Sequence, residues 1–266
     1  MLIDTHCHFP HEKYDQELDQ IIKDSQNNDV KKLIVIGTSI ENSKKTLEVV
    51  NKYNNLFATI GVYPHEDKNL SLSDIQKELE NLYRKNKSKI VGIGECGIDL
   101  GNWEDGRNPD EQVELFKLQT GFAIEHDLPL VLHNRNGDKY IEEIFSKYAV
   151  FKGNKLRGVA HCYVGNWNFA KYLIDFGFYI SFSGIITFPK VSSDLIDTIK
   201  KIPKERILVE TDSPYLAPQK YRGQINYPKY VKIVAEAVAQ IRNASYDEIA
   251  QITYKNAHNL FNIKYD

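Results

Sequence analysis

Short runs rich in Val, Ile and Leu alternate along the chain with longer amphipathic segments, the pattern expected when parallel strands are covered by helices. The runs predict eight strands: Leu2–Thr5, Leu33–Ile36, Leu56–Val62, Ile90–Glu95, Leu130–His133, Gly158–His161, Phe178–Phe182 and Ile207–Thr211. They recur about every thirty residues, the length of a strand–helix unit. Between them the helices announce their starts. Asn108-Pro109-Asp110-Glu111 offers a capping residue, a proline at the first helical position and an acid at the third, ahead of Val113, Phe116, Leu118 and Phe122. Ser71 with Asp74, and Ser245 with Glu248, open two further helices in the same way. No sequence repeat accompanies the alternation, which excludes a solenoid. Eight such units predict an α/β fold, a (β/α)8 TIM barrel, with residues 1–266 as one domain; an open doubly wound sheet is the alternative.

Composition narrows the class without changing the fold. At 266 residues, 42% apolar and 26% charged, the chain matches a soluble globular protein and the usual size of a single barrel, about 250 residues. It shows no secretory leader and no apolar run long enough for a membrane span, so a cytoplasmic protein is expected. Cys7, Cys96 and Cys162 form no Cys-x-x-Cys pair, which argues against a disulfide framework or a cysteine zinc site. A formal net charge of −2 excludes a broadly basic nucleic-acid binder, so any such contact must be local or metal-mediated. Nothing points to an obligate protein partner.

The candidate chemistry lies where strands end. On a strand, alternate residues share a face, so His6 and His8 project together while Cys7 turns away. Glu95 ends the fourth predicted strand, and His133, His161 and Asp212 follow the fifth, sixth and eighth. In a barrel these positions converge on the C-terminal rim, where chemistry sits. Six ligand-type residues exceed what one tetrahedral ion with an open position needs, which suggests two divalent metals sharing a carboxylate. Glu95 is the natural bridge, with His6, His8 and Asp212 on one side and His133 and His161 on the other. Imidazole mixed with carboxylate suits Zn, Mn or Mg without choosing among them.

With these residues in view, the chain resembles the TatD family of metal-dependent nucleases, a branch of the amidohydrolase-like barrels. The resemblance spans nearly the whole length. It rests on Ile3-Asp4-Thr5-His6-Cys7-His8, Gly92-Ile93-Gly94-Glu95-Cys96-Gly97-Ile98-Asp99, His133-Asn134-Arg135, Phe182-Ser183-Gly184-Ile185-Ile186-Thr187-Phe188, Glu210-Thr211-Asp212-Ser213-Pro214-Tyr215-Leu216, and Arg222-Gly223 followed by Asn226 and Pro228. It implies a two-metal centre on the same six ligands and hydrolysis of phosphodiester bonds in DNA, often from the 3′ end. RNA is the other substrate to consider.

The chain departs from the family pattern at several places. After the third strand it reads Gly61-Val62-Tyr63-Pro64-His65, with Tyr63 where the family's first histidine is expected. His65 is the expected replacement for its contact near the scissile phosphate, with a hydrogen bond from the Tyr63 hydroxyl itself as the alternative, since an imidazole pKa near 6.5 suits proton transfer at neutral pH and a phenol near 10 does not. Leu100 replaces an aromatic residue, Asn136 an acid, and Tyr163-Val164-Gly165-Asn166 differs from the usual Phe-Ser-Gly-Ser. Asp212 and Glu95 are the expected catalytic carboxylates, Asp212 as proton acceptor. Arg135 and Arg222, on rim loops, carry guanidinium forks suited to phosphate. His126 reads as a helix C-terminal cation, His258 as structural, and His11 has no assigned role. Two rival readings remain: a hydrolase of a small amide, lactone or phosphoester, and a non-catalytic nucleic-acid-binding protein.

Overall fold

The computed structural model describes residues 1–149 and 156–265. Eight strands form one sheet in sequential order, each parallel to the next: β1 (Leu2–Cys7), β2 (Val30–Val35), β3 (Leu56–Ile60), β4 (Ile90–Asp99), β5 (Leu130–Arg135), β6 (Gly158–Ala160), β7 (Phe178–Phe182) and β8 (Ile207–Val209). Helices α1 (Leu18–Asn27), α2 (Ile40–Val50), α3 (Leu72–Asn86), α4 (Pro109–Glu125), α5 (Asp138–Ala149), α6 (Trp167–Asp175), α7 (Ser193–Lys201) and α8 (Val231–Arg242) follow the strands in turn, and α9 (Tyr246–Phe261) comes last. Strands that neighbour in sequence and run parallel require a crossover helix between each pair, which the alternation supplies.

The sheet closes into a nearly complete barrel between β1 and the segment after β8. Cys7 bridges Ser213 in parallel, the His8 amide donates to the Ser213 carbonyl at 2.8 Å, and the Asp212 amide donates to the His6 carbonyl at 2.8 Å. Buried Asp4 reinforces the seam by accepting from the Thr211 amide at 2.9 Å and the Thr211 hydroxyl at 2.5 Å. A large apolar cluster lies between strands and helices. A smaller one gathers Ile3, Ile34, Val91, Val131, Val159 and Leu208 from the strands against Ala257, Leu260 and Phe261 of α9, so α9 seals the barrel end opposite the ligand-bearing rim. Among the described residues, no helix is long and apolar enough to cross a membrane.

The three helix starts read from the sequence form as expected. Ser71 accepts from the Asp74 amide, Ser245 from the Glu248 amide, and Asn108 with Glu111 makes a full capping box behind Pro109. Strand ends differ more. β2 starts at Val30, because buried Lys32 belongs to the strand despite its charge. β4 runs four residues past Glu95 to Asp99, because Gly97 adopts a positive φ of 148° and lies against β5 so closely that a Cβ there would meet the His133 carbonyl oxygen at 1.9 Å. Only glycine tolerates both conditions.

Candidate metal centre

Pairing irregularities fall where the ligands sit. The β1–β2 register shifts between Asp4 and Cys7, and the β4–β5 register shifts between Ile93 and Cys96. Such breaks re-aim side chains beside active sites, and here they bracket His6 and Glu95. Cys7 meanwhile points away, its thiol donating to the Ile34 carbonyl. All three cysteines are free.

The structure brings all six candidate ligands together as two adjoining groups. In the first, His8 Nε2 lies 3.2 Å and His6 Nε2 3.6 Å from Asp212 Oδ1. In the second, His133 Nδ1 and His161 Nε2 lie 2.9 and 3.1 Å from Glu95 Oε1 and 3.2 Å from each other. Glu95 joins the groups, since its other oxygen, Oε2, lies 3.4 Å from His6 Nε2. Atoms ~2.1 Å from one ion at tetrahedral angles stand about 3.4 Å apart, so these separations match the edges of coordination polyhedra.

One further observation shows that a cation fits here. Both ring nitrogens of fully buried His6 lack a hydrogen-bond partner among the described residues, although Nε2 faces two carboxylates. A buried donor or acceptor is normally paired. An imidazole that faces carboxylates without bonding to either converges with them on a common point.

Two carboxylates that the sequence reading did not single out steer the histidines from behind. Glu210 lies 3.3 Å from His161 Nδ1 and accepts from the Cys162 amide at 2.7 Å. Asp99 Oδ2 lies 3.3 Å from His133 Nε2 and accepts from the Tyr63 hydroxyl. Metal-binding histidines commonly have their second nitrogen held in this way. The signal was present: period two on a strand puts Asp99 on the face of Glu95, and Glu210 on that of Asp212. For Asp99 it is masked by Gly97, which reads as lying past the strand end.

Charge in the cluster is mutually compensated. Burial alone would raise Glu95, but His161, His133 and His6 outweigh it and hold the carboxyl well below its ordinary range. Burial likewise opposes charge on His161, yet Glu95 and Glu210 raise its pKa well above the usual imidazole value. His133 is raised despite burial by Asp99 and Glu95, and His8 by Asp212. His6 is lowered, by burial and then by His161. Asp212 overcomes burial through His8 and His6 and is lowered. Its backbone adopts a left-handed φ of 58°, local strain of the kind that gathers at functional sites.

The third-strand loop differs from expectation. His65 belongs to none of the three clusters of potential ligands among the described residues, His6–His8–Asp212, His6–His161–Glu210 and Glu95–His133–His161, and both its ring nitrogens are engaged by backbone: Nδ1 accepts from the Arg107 amide at 3.0 Å, which leaves Nε2–H to donate to the Asp99 carbonyl at 3.1 Å. Both contacts anchor the loop. Tyr63 takes the inward position, with its ring centroid 4.8 Å from that of His133. Burial and the Asp99 hydrogen bond push the phenol pKa far up, so Tyr63 remains a donor.

Arg135 ends β5, exposed and beside Gly101 and Asp99. Arg222 is also exposed, its guanidinium 4.9 Å from the centre of the Phe188 ring. His126 caps α4 and pairs with Glu80 at 3.0 Å. His258 packs at the barrel base, Nδ1 lying 2.7 Å from the Ile263 carbonyl. His11 lies on the rim, Nε2 2.8 Å from the Tyr215 hydroxyl.

Comparison with known proteins follows the same lines. A family model described as TatD related DNase matches residues 3–262. An uncharacterised metal-dependent hydrolase of Bacillus subtilis, YabD, is 34% identical over 99% of this chain and 100% of its own length. YcfH of Escherichia coli, also described as a metal-dependent hydrolase, is 31% identical over 98% of this chain and 96% of its own. The crystal structure of the TatD homologue YjjV from Escherichia coli superposes with a TM-score of 0.90 at 28% identity, covering 99% of this chain and 98% of that one.

Proposed function

The chain belongs to the TatD family of metal-dependent hydrolases, and from that membership we propose that it cleaves phosphodiester bonds in DNA as a 3′–5′ exodeoxyribonuclease using two divalent cations, Mg, Mn or Zn. The observation that carries the reading is Glu95, whose two oxygens face different ligand groups, Oε2 towards His6 and Oε1 towards His133 and His161. His6, His8, Asp212 and Glu95 would hold one ion, and Glu95, His133 and His161 the other. Such a pair supplies Lewis acidity to the phosphoryl oxygens and makes water a better nucleophile.

The remaining work falls to side chains. Asp212, held ionised by His8 and His6, can accept the proton released by the attacking water. Glu210 and Asp99 keep His161 and His133 in fixed tautomers and orientations. Tyr63 stays protonated and holds Asp99 still. Arg135 and Arg222 offer donor forks to backbone phosphates outside the centre.

The reading is tested by incubating metal-loaded protein with DNA and RNA oligonucleotides labelled at either end. A 5′-labelled DNA strand should shorten stepwise while RNA of the same sequence persists. Intact DNA under every metal would contradict it.

A further inference from the structure

Among the described residues, three exposed large apolar side chains belong to the loops that leave the metal-bearing rim: Trp103 after β4, Val164 after β6 and Tyr215 after β8, at 49%, 53% and 39% exposure. Two are aromatic, and each lies beside a ligand histidine or one ring away from it. Trp103 packs 6.0 Å from Tyr63, whose ring is 4.8 Å from His133. Tyr215 packs 6.0 Å from His8. In the ring of strands, β3 to β5 carry the first chain of contacts and β8 with β1 the second, so the two aromatics flank the centre from different arcs.

Neither ring is loosely held. The Trp103 loop is strapped to the third-strand loop by Arg107, whose guanidinium donates to the Pro64 carbonyl at 3.2 Å, the Asp67 carbonyl at 2.8 Å and the Glu66 carbonyl. Lys68 donates to the Asp105 carbonyl, and Trp103 leans on His65 at 4.9 Å. A cavity of about 290 Å³ opens beside it, bounded by Trp103, Asp99, Arg107 and Gln112. On the other flank the Tyr215 hydroxyl meets His11, and the Lys13 ammonium sits 4.2 Å from the ring centre. An exposed aromatic ring fixed by such contacts gains nothing for folding from its outer surface, but it offers a preorganised face for stacking a base.

We propose that Trp103 and Tyr215 are specificity-determining platforms that stack the two bases flanking the cleaved phosphodiester, so that the substrate is recognised as a base-bearing dinucleotide step rather than as a phosphodiester alone. This rests on the phosphodiesterase reading above. Lys13 covers one face of the Tyr215 ring, so a base stacks on the other and the ammonium stays beside the strand's phosphates. Because every base has a π face, the platforms require a base without choosing its identity, and each contributes about fivefold to hundredfold in affinity.

The test uses the metal-loaded full chain and two DNA oligonucleotides, one complete and one with abasic sugars flanking the cleaved bond. Trp103→Ala and Tyr215→Ala should each raise KM about tenfold on complete DNA and change KM little on abasic DNA, because base and ring are removed from the same interaction. Trp103→Phe should recover most of the loss. Binding of a cleavage-resistant phosphorothioate oligonucleotide should quench tryptophan emission, and Trp103→Phe, which leaves Trp167 as the one tryptophan, should lose that quench. Equal KM increases on both substrates, or a full quench in Trp103→Phe, would overturn the proposal while leaving the nuclease reading intact. Wild-type protein that neither binds nor cleaves complete DNA would overturn both.

Discussion

The Tyr63 hydroxyl donates to Asp99 Oδ2, the same oxygen that stands 3.3 Å from His133 Nε2. A tyrosine thus reaches the metal centre through a carboxylate, while His65, two residues later, is spent on the backbone of Arg107 and Asp99. Tyr63→Phe is expected to lower turnover or metal affinity about tenfold or more, the range for losing a group that orients a metal ligand. His65→Ala should act mainly on loop order and KM. Assay of both variants at saturating metal checks the ranking, and a larger turnover loss for His65→Ala would reverse the assignment.

Glu210 has a sharper expected effect. It is fully buried and fixes His161 from the far side of the ring. Glu210→Gln removes the charge while keeping the shape, so metal affinity should fall about 10- to 100-fold and turnover at saturating metal should recover much of its value. Metal titration followed by elemental analysis measures the first effect, and steady-state kinetics the second. Unchanged metal affinity would make Glu210 a packing residue.

Metal binding should release protons. With no cation present, His161 and His133 have pKa values raised above that of a free imidazole and hold a proton more readily than one, whereas a ligand must be unprotonated to bind. Apparent metal affinity should therefore fall as pH drops below those raised values and level off above them. Calorimetric titration in buffers of different ionisation enthalpy reads the release directly, and heats independent of buffer would contradict it.

Arg222 is exposed and lies against Phe188. Arg222→Ala should lower kcat/KM on DNA about tenfold or more, the scale of one lost charge-assisted hydrogen bond, with metal content intact. Unchanged kinetics would leave it a surface residue.

The eight strands and the six converging residues were legible because both signals are local: apolar runs mark strands, and ligand-type residues at their ends stand out. What the sequence hid depended on backbone detail. Gly97 lets β4 continue to Asp99, so a strand that reads as ending at Glu95 carries a second acid to the rim. A choice between His65 and Tyr63 lies beyond pKa, because only the fold shows that both His65 nitrogens meet backbone groups. Trp103 carried no legible signal, since its place beside Tyr63 comes from Arg107 strapping two loops together.

The central claim, a two-cation phosphodiesterase centre joined by Glu95, is tested most directly by turnover of a DNA oligonucleotide against equivalents of Mn or Zn added to metal-stripped protein, with Glu95→Ala alongside. Wild-type turnover should start near zero and saturate at about two equivalents. Glu95→Ala should retain its thermal transition but bind less metal and stay inactive, because the barrel core is packed by apolar strand and helix residues and not by this carboxylate. Full turnover before metal is added, or undiminished metal content and activity in Glu95→Ala, would contradict the account.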